Sequence, residues 1–547
     1  MSFFEAKKRD ICARIGVFDH GGTKLSSPAA VDAETIFPEL GTVRHTNVPL
    51  AAGERFTSEY LHRYRDLVAG HPHSDAAAPP GACIVVENWH TVMDNPSAFV
   101  DMLANLKRRH PPDTLWYAPA AALPSTVAVL VYAGFDLFDF KGVDLKTAQG
   151  YFCTPEGEFS ADEWMDAGTC SCAGCRSGNL GEHNRTALRE EIALATKMIA
   201  RGTLREFIEG RCRNRAAFVA VLRLFDGRYE YLEPRAPVAR EGALLAASGE
   251  SLRRPEVVRF GERVVDRFVP TRTDVAVLLP CSAKKPYSMS QSHHKFQNAI
   301  RNRGHELILT SPLGLVPREL EAVYPAAHYD VPVSGYWDRE EQCIIASVLA
   351  RYLARHGYAR VIAHLEGGSM EIARAAAARA GIELEETCSG RPTDPAALER
   401  LEEALDGARA IRPDTIKGTV SWQFGIDIPT GDLQVRGKPW RRLVVRGREQ
   451  VFSIDAATGL FRPTFAGWQL LGDCYRVAID DFIPQGDILA PGVIGADDAI
   501  REGDEVFVVG RRAVATGRAA MGADEMRGSS RGVAVKVRKV QKRTVDD

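Results

Sequence analysis

The stretch from Pro280 to His294 is the most unusual part of the sequence in its chemistry. It reads Pro-Cys-Ser-Ala-Lys-Lys-Pro-Tyr-Ser-Met-Ser-Gln-Ser-His-His, and so combines a thiol, two amines, a phenol, several hydroxyls and two imidazoles. A thiol is a nucleophile only as the thiolate, and a neighbouring lysine or protonated histidine lowers its pKa. Cys281 is therefore a candidate nucleophile, and His293 is a candidate proton carrier near neutral pH.

A second interpretation of this stretch is a basic loop that contacts phosphate, with Cys281 as a small buried side chain. Residue chemistry alone favours neither interpretation. The stretch follows an apolar run, Asp274 to Leu279, that predicts a strand. In a doubly wound fold, ligands bind beyond the carboxyl ends of the strands, so we expect these residues at a binding edge. The turn from Glu366 to Ser369 could also bind a ligand, although a helix start before Glu371 is the favoured interpretation.

Three cysteines lie within six residues and form a candidate metal site. The sequence from 170 to 175 is Cys-Ser-Cys-Ala-Gly-Cys, and a histidine follows at the start of a helical pattern. Structural zinc is tetrahedral and accepts cysteine and histidine ligands. We therefore predict a structural zinc ion, held by Cys170, Cys172, Cys175 and His183.

Composition restricts the class of protein. The 547 residues are 45% hydrophobic and 26% charged with a formal net charge of −2, which is typical of a folded globular protein rather than a disordered or fibrous one. The chain has eleven cysteines, and in a reducing compartment a tight group such as the three at 170–175 indicates a metal or catalytic site rather than a disulfide framework. Apolar runs such as Val127 to Phe135 are far shorter than the ~20 residues of a membrane span. The polar, charged first ten residues argue against a secretory signal, so we expect a cytoplasmic protein with no membrane association.

The first 230 residues alternate strand-like and helix-like patterns. Candidate strands are 82–87, 113–118 and 127–135, a helix is predicted at 97–110, and a helical stretch at 185–213 closes the region. Such alternation indicates parallel strands with helical crossovers, in a barrel or part of one. A second α/β region spans about 260–410, with strands at 274–280, 305–310 and 358–363 and helices at 339–355, 371–380 and 396–405.

After residue 411 the pattern changes to short strands separated by turn signals. We therefore predict four domains, at 1–235 (with a zinc subdomain at about 150–215), 236–410, 411–471 and 472–547. From Arg527 to Arg543 there are seven Lys or Arg residues and no Asp or Glu. Such a cationic tail is usually a solvated face, but on a folded module it also fits a polyanion.

Together these motifs resemble the archaeosine synthases, an archaeal tRNA-modifying family related to tRNA-guanine transglycosylase. The signature is Pro280-Cys281, three residues, Lys285-Pro286-Tyr287, two residues, Ser290, two residues and His293. The segment from Gly134 to Asp139, followed by the cysteine cluster, is similar to the late barrel and zinc subdomain of the transglycosylases. The C-terminal unit resembles a PUA domain, a small RNA-binding β-barrel, through its motifs Ala490-Pro491-Gly492-Val493, Arg501-x-Gly503-Asp504-Glu505-Val506 and Gly517-Arg518-Ala519.

The resemblance implies an α/β multidomain fold: a partial transglycosylase-like β/α barrel with zinc subdomain, a doubly wound α/β domain, a small α+β linker domain and a C-terminal PUA β-barrel. It implies addition of an amine, with lysine as donor, to the nitrile of 7-cyano-7-deazaguanine in the tRNA D-loop. A radical SAM partner protein then cleaves the adduct to leave archaeosine. Transglycosylase relatives often form dimers, so a homodimer is also implied.

The family pattern implies catalytic roles for Cys281, Lys285, Tyr287, Ser290 and His293. Our hypothesis is that Cys281 attacks the nitrile and forms a thioimidate, that His293 or Tyr287 delivers the proton, and that Lys285 stabilises the thiolate or orients the substrate. Direct addition of the lysine amine, without covalent catalysis, stays open. For RNA binding we predict phosphate contacts from residues in the cationic tail, namely Arg527, Arg531, Lys536, Arg538 and Lys539.

The sequence also departs from the transglycosylases. Asp139 matches their nucleophile by position, but their Asp-Ser-Gly-Gly-Phe-Gln segment, which carries a second acidic residue, is absent. Asp139 is therefore expected to line a base pocket or to be structural. Two alternative functions remain: a transglycosylase that exchanges bases, and a non-catalytic tRNA-binding subunit.

Overall fold

The structure is a computed structural model that describes residues 2–36, 67–70, 83–86, 95–166, 168–332, 336–438 and 441–543. Within these ranges it contains four α/β or β units in chain order, and the predicted mixed α/β multidomain architecture is confirmed. The predicted domain boundaries at 235, 410 and 471 stay predictions. In the described parts of the chain, no helix combines the length and the apolar character that crossing a bilayer requires.

The N-terminal unit contains two sheets. An antiparallel meander is formed by Phe3–Asp10, Ala13–His20 and Thr23–Ser27. It precedes a five-stranded parallel sheet with the strand order Ala29–Val31, Leu137–Asp139, Leu115–Tyr117, Cys83–Val86 and Leu67–Gly70. The helices of this unit are Ala33–Ile36, Pro96–Arg109, Pro124–Tyr132, Lys141–Ala148, Ala161–Asp166, Ala173–Ser177, Leu180–Arg201, Leu204–Arg211, Ala216–Asp226 and Tyr229–Leu232.

The predicted strand at 127–135 is wrong, because this segment belongs to the helix Pro124–Tyr132. Every residue of that helix is buried, so it has no polar face and its sequence lacks a helical period. Two local features start the helix: Pro124 occupies its first turn, and the Thr126 hydroxyl accepts a hydrogen bond from the Leu123 amide at 3.0 Å. The neighbouring strand is Leu137–Asp139 instead.

The central unit is doubly wound. Its sheet has the order Gly314–Pro317, His305–Thr310, Val275–Pro280, Arg360–Ala363 and Leu384–Glu386, and all strands except Gly314–Pro317 run parallel. Its helices are Pro255–Asp266, Gln291–Ile300, Arg339–His356, Gly367–Ala380 and Pro395–Ala404. Chain order reverses at Val275–Pro280, since the next strand lies on one side of it and the later strand Arg360–Ala363 on the other. The crevice beyond this reversal is where such folds bind ligands.

The last two units share one hydrophobic core. The first has the helices Thr415–Phe424 and Phe465–Leu471 around an antiparallel sheet of Leu433–Lys438, Arg441–Arg446, Glu449–Ile454 and Phe461–Pro463. The second is a six-stranded sheet in the order Ile488–Leu489, Val533–Lys542, Ala513–Ala519, Glu505–Val509, Arg476–Ile479 and Val493–Ala496, with the helix Ala523–Gly528. Aromatic contacts join them, because Trp468 stacks on Phe507 with ring centroids 5.8 Å apart and Phe424 meets Tyr475 edge-on at 5.7 Å.

Candidate functional site

A cavity of about 680 Å³ opens at the carboxyl edge of the central sheet, and Cys281 lines it. The residues that follow three parallel strands meet there: Pro280 and Cys281, then Ser311 and Pro312, and finally the turn from Glu366 to Ser369. Pockets for small organic ligands typically measure about 300–1,000 Å³, so a nucleobase fits this volume. Cys281 is half-buried rather than sealed in the core.

A chain of hydroxyl groups runs inward from Cys281. The Thr310 hydroxyl hydrogen-bonds to the thiol and also to the Tyr329 hydroxyl, which lies 2.8 Å from the Tyr287 hydroxyl. Burial raises the pKa of both phenols, so both keep their protons at neutral pH. Tyr329 is held in place because its strand, Tyr329–Asp330, pairs in parallel with Leu244–Leu245.

Lys285 is the cation of the motif that contacts this row of hydroxyl groups. Its ammonium lies 3.7 Å from the centre of the Tyr329 ring, a cation–π contact. Burial raises the pKa of the Cys281 thiol above its usual value of 9.0, while the Thr310 hydroxyl and the Lys285 charge offset part of that rise. Burial also lowers the pKa of Lys285. The resting state at neutral pH is therefore a thiol that needs a proton acceptor before it can attack.

His293 lies beneath the motif and is fully buried. Its Nε2 is 3.1 Å from the Pro280 carbonyl oxygen and donates to it, and its Nδ1 accepts from the Arg318 guanidinium at 2.7 Å. Burial and the charge of Arg318 lower the pKa of His293 from 6.5 to about 3, so the ring is neutral at pH 7. Both nitrogens are occupied, and this geometry favours a positioning role over proton delivery.

Ser290 begins the helix Gln291–Ile300. Its hydroxyl accepts from the His293 amide at 3.2 Å, which is the usual bond of a helix N-cap. Arg318 completes this support because it also binds the buried carboxylate of Glu306. The part of the signature that follows Tyr287 thus holds the loop against the sheet, while Pro280 and Cys281 line the cavity.

The charge of the cavity lining is negative. Its charged lining residues are Asp338, Glu341 and Glu366, and among the described lining residues there is no lysine or arginine. Asp338 and Glu341 each accept one hydrogen bond from the other's amide at the start of the helix Arg339–His356, which leaves further carboxylate oxygen lone pairs for a ligand. A cationic small molecule is therefore favoured inside the cavity over an anionic one.

The predicted metal ligands converge on one point. The ligand atoms of Cys170, Cys172, Cys175 and His183 all lie within 4.8 Å of one another. His183 Nδ1 is 3.4 Å from the Cys172 sulfur and 3.3 Å from the Cys175 sulfur, close to the ~3.6 Å that a tetrahedral zinc ion imposes. His183 Nε2 donates to the Cys153 carbonyl at 3.1 Å, and this bond leaves Nδ1 free to bind a metal.

A close backbone approach supports this ligand geometry. A Cβ atom on Gly174 would lie 2.4 Å from the His183 amide nitrogen, so only glycine fits at this position, directly before the third cysteine. The donor set and its spacing therefore fit a structural zinc ion with a complete shell.

Comparison with known proteins agrees with these features. The PUA domain family model matches residues 476–541, and the model described as a domain of unknown function (DUF5591) matches residues 257–405. Archaeosine synthase subunit alpha of Methanosarcina acetivorans is 37% identical over 524 residues, which cover 86% of this chain and 84% of the relative. Archaeosine synthase of Haloferax volcanii is 35% identical over 586 residues, which cover 99% of this chain and all of the relative. The chain belongs to the archaeosine synthase family.

This family membership confirms the resemblance found in the sequence, and the PUA domain is confirmed at the C-terminus. A more distant relative is the tRNA-guanine(15) transglycosylase of Methanothermobacter thermautotrophicus, 26% identical over 479 residues, which cover 80% of this chain and 68% of that relative. The similarity to a transglycosylase thus extends over most of this chain.

Asp139, the position that matches the transglycosylase nucleophile, is buried. It accepts hydrogen bonds from the Tyr117 hydroxyl at 2.7 Å and from the amides of Ala120 and Lys141 at 3.0 Å. Ala120 has a left-handed backbone with φ of 55°, and the bond to Asp139 holds that strained turn. Its role in lining a base pocket stays a prediction, and this geometry favours the structural alternative.

The five cations predicted to bind RNA all lie on the PUA domain of this chain. Lys536 and Lys539 are exposed on the strand Val533–Lys542. Arg527 pairs with Asp524 at 2.7 Å, and Arg538 makes two hydrogen bonds of 2.8 Å with the Glu505 carboxylate. Arg531 packs on Phe3, 3.8 Å from its ring centre. The two lysines are therefore better placed for phosphate than Arg527 and Arg538, whose charges are already paired with carboxylates.

Proposed function

We propose that the chain adds the amine of free lysine to the nitrile of 7-cyano-7-deazaguanine in tRNA, on the pathway to archaeosine. The observation that carries this proposal is the position of Cys281 at the carboxyl edge of the sheet, in a cavity large enough for a nucleobase and lined by carboxylates. Family membership supports the pathway, because the relatives are named archaeosine synthases.

The covalent route has two balanced steps. First, the S–H bond of Cys281 breaks and the sulfur bonds to the nitrile carbon, while the nitrile nitrogen gains one proton in place of the one that sulfur lost, which converts the triple bond to the C=N–H of a thioimidate. The lysine amine then bonds to the same carbon and the sulfur leaves, and the amine's surplus proton restores the thiol. The product is an amidine, no electron carrier is consumed, and the enzyme returns to its starting state.

The neighbouring groups have roles that follow from their contacts. The hydroxyl chain from Thr310 through Tyr329 to Tyr287 supplies protonated donors beside the sulfur, and such donors stabilise the negative nitrogen as it forms. Lys285 stabilises the thiolate through its charge. His293 and Ser290 act as positioning residues that hold the loop, since their polar atoms bond to Pro280, Arg318 and the helix start.

The acidic lining supports a cationic amine donor. Free lysine carries two ammonium groups at neutral pH, and Glu366, Asp338 and Glu341 offer carboxylates in the cavity lining. A charge-assisted hydrogen bond of this kind contributes about 1.5–3 kcal/mol. The zinc subdomain and the PUA domain then serve to hold the tRNA. A radical SAM partner that cleaves the lysine adduct, and a homodimer, remain part of this proposal.

Mass spectrometry of the nucleosides tests the function. Transfer RNA that carries 7-cyano-7-deazaguanine is incubated with the protein and lysine, and a gain equal to one lysine on the modified base is the expected result. Exchange of a labelled base into the tRNA would instead identify a transglycosylase, and an unchanged nucleoside with intact tRNA binding would identify a non-catalytic subunit.

The Cys281→Ser variant separates the covalent route from direct addition. If sulfur is the nucleophile, the lysine adduct is lost while lysine and tRNA still bind. A near-native rate in this variant would establish the second candidate, in which the lysine amine attacks the nitrile itself. The Cys343→Ser variant is the matched control, because Cys343 is exposed and lies outside the cavity lining.

A further inference from the structure

A strongly cationic β-hairpin extends from the unit that precedes the PUA domain. Its strands, Leu433–Lys438 and Arg441–Arg446, read Leu-Gln-Val-Arg-Gly-Lys and Arg-Arg-Leu-Val-Val-Arg. Five of these twelve residues are cations and none is acidic. Nothing in the proposed chemistry at Cys281 uses them. Arg446 pairs with Asp432 at 2.8 Å, just before the first strand. The remaining excess of cations on the two strands complements a polyanion.

The strand register concentrates the cations towards the end of the hairpin. Lys438 lies opposite Arg441, and Arg436 lies opposite Leu443, so these three cations share one face of the ribbon. Arg442 lies opposite Gly437 on the other face. All four cations are exposed, whereas Val444 and Val445 at the base are buried in the sheet. The base is thus anchored in the core while the charged end faces solvent.

The hairpin is fixed relative to the PUA domain. Its residues Leu433 and Val444 belong to the core that both units share. On the helices of the same unit, Phe424 contacts Tyr475 and Trp468 contacts Phe507. Phe465, next to that core, also lies 5.9 Å from the ammonium of Lys539 on the PUA strand Val533–Lys542. One rigid body therefore carries two separate cationic surfaces, and such an arrangement can hold two segments of one RNA in a fixed relation.

We propose that the hairpin Leu433–Arg446 is a second RNA contact, which binds the phosphate backbone through Arg436, Lys438, Arg441 and Arg442. The surface fits the RNA backbone rather than the bases, because these side chains are exposed lysines and arginines on a two-stranded ribbon, and such flexible cations typically contact phosphate. The inference rests on the proposed function only in that the RNA is the tRNA substrate. Binding of tRNA can be measured without any turnover, so an experiment can refute the hairpin contact without refuting the proposed function, and the reverse.

The test is the salt dependence of tRNA binding to the full chain. A hairpin variant, R436Q/R441Q/R442Q, is compared with R351Q/R374Q/R379Q, which removes the same charge from exposed arginines on the helices Arg339–His356 and Gly367–Ala380. Each lost phosphate contact lowers the slope of log affinity against log salt by about 0.7–0.9. For the hairpin variant, the slope of log affinity against log salt should therefore be shallower by about 2–3, and the affinity for tRNA at 0.1 M salt should be roughly tenfold lower or more. The control variant should keep both.

A charge-preserving variant separates electrostatics from folding. R436K/R441K/R442K keeps the point charges, so it should retain most of the slope and affinity. Equal slopes for wild type, hairpin variant and control would overturn the proposal. Loss of binding to phosphatidylserine vesicles with unchanged tRNA binding would also overturn it, and would identify an anionic membrane surface as the partner instead.

Discussion

Replacing His293 by glutamine tests whether this imidazole is buried and neutral. Glutamine can still donate to the Pro280 carbonyl and accept from Arg318, but it has no titrating group. Burial and the Arg318 charge lower the pKa of His293 from 6.5 to about 3. Between these values the unfolded chain takes up a proton that the folded chain does not. The stability from this group is therefore complete above pH 6.5 and is lost progressively as the pH falls towards 3.

The size of the effect follows from the pKa values. One pH unit within this window corresponds to about 1.4 kcal/mol. From pH 6.5 to pH 5 the wild-type chain therefore loses about 2 kcal/mol through His293 alone. Other histidines add their own losses, such as the half-buried His356, whose pKa is lowered to about 4 by its partial burial. They contribute equally to both proteins, so the difference between wild type and variant isolates His293.

Hydrogen exchange is the suitable measurement because a chain of several units does not unfold in one step. The opening free energy of peptides that cover Val275–Pro280 and His305–Thr310 is measured at pH 7.5 and 5.0. The His293→Gln protein should lose about 2 kcal/mol less than wild type between the two values. The exposed neighbour, in the variant His294→Gln, serves as control and should behave as wild type. Identical pH dependence in all three proteins would refute the buried, neutral state.

The same variant has a consequence for activity. A histidine that is neutral throughout the physiological range cannot be the acid limb of the pH–rate profile. His293→Gln should therefore keep the shape of the profile between pH 6 and 8, even if the rate falls because the loop shifts. If the wild-type pH–rate profile has a limb near pH 6.5 and the variant lacks it, His293 delivers the proton after all.

Three further predictions concern the other sites. Cys172→Ser should release zinc and increase proteolysis near residue 170, whereas Cys343→Ser should retain the full zinc stoichiometry as measured by elemental analysis. Glu366→Gln should raise the KM for lysine roughly tenfold with little change in kcat, and an unchanged KM would remove this carboxylate from the donor site. Replacing Lys536 and Lys539 together by glutamine should lower the salt slope of tRNA binding by about 1–2, and an unaltered slope would place the phosphate contacts elsewhere.

Much of the central unit was predictable, because its signals are local. The apolar runs that end in a proline or a polar residue predicted His305–Thr310 without error and Val275–Pro280 to within one residue. Strand ends in a parallel sheet share an edge, so the position of Cys281 at the binding edge also followed from the sequence. The segment 127–135 failed for the opposite reason: an apolar run buried on all sides has no period that distinguishes a helix from a strand.

The candidate site was only partly predictable. Cys281 and Lys285 carried a signal in residue type and spacing, but Tyr329 contributes from a distant two-residue strand that no local pattern indicates. Thr310 could have been found, since it ends a predicted strand at the same edge. The turn from Glu366 to Ser369 starts a helix, as predicted, and also lines the cavity, so the favoured interpretation captured one of its two roles. The low pKa of His293 depends partly on Arg318, which lies 25 residues further along the chain and was therefore not indicated by any local pattern.

The carboxylates around the cavity also act as a filter for how far a nucleic acid can enter. Under the proposed function, a phosphodiester strand that approaches Asp338, Glu341 and Glu366 would meet like charge in a confined space and be repelled. An uncharged purine on an extruded nucleotide suffers no such penalty and can reach the sulfur. Under the proposed function, the cavity would thus admit the base but not the backbone of the RNA, while it attracts free lysine, whose net charge is positive.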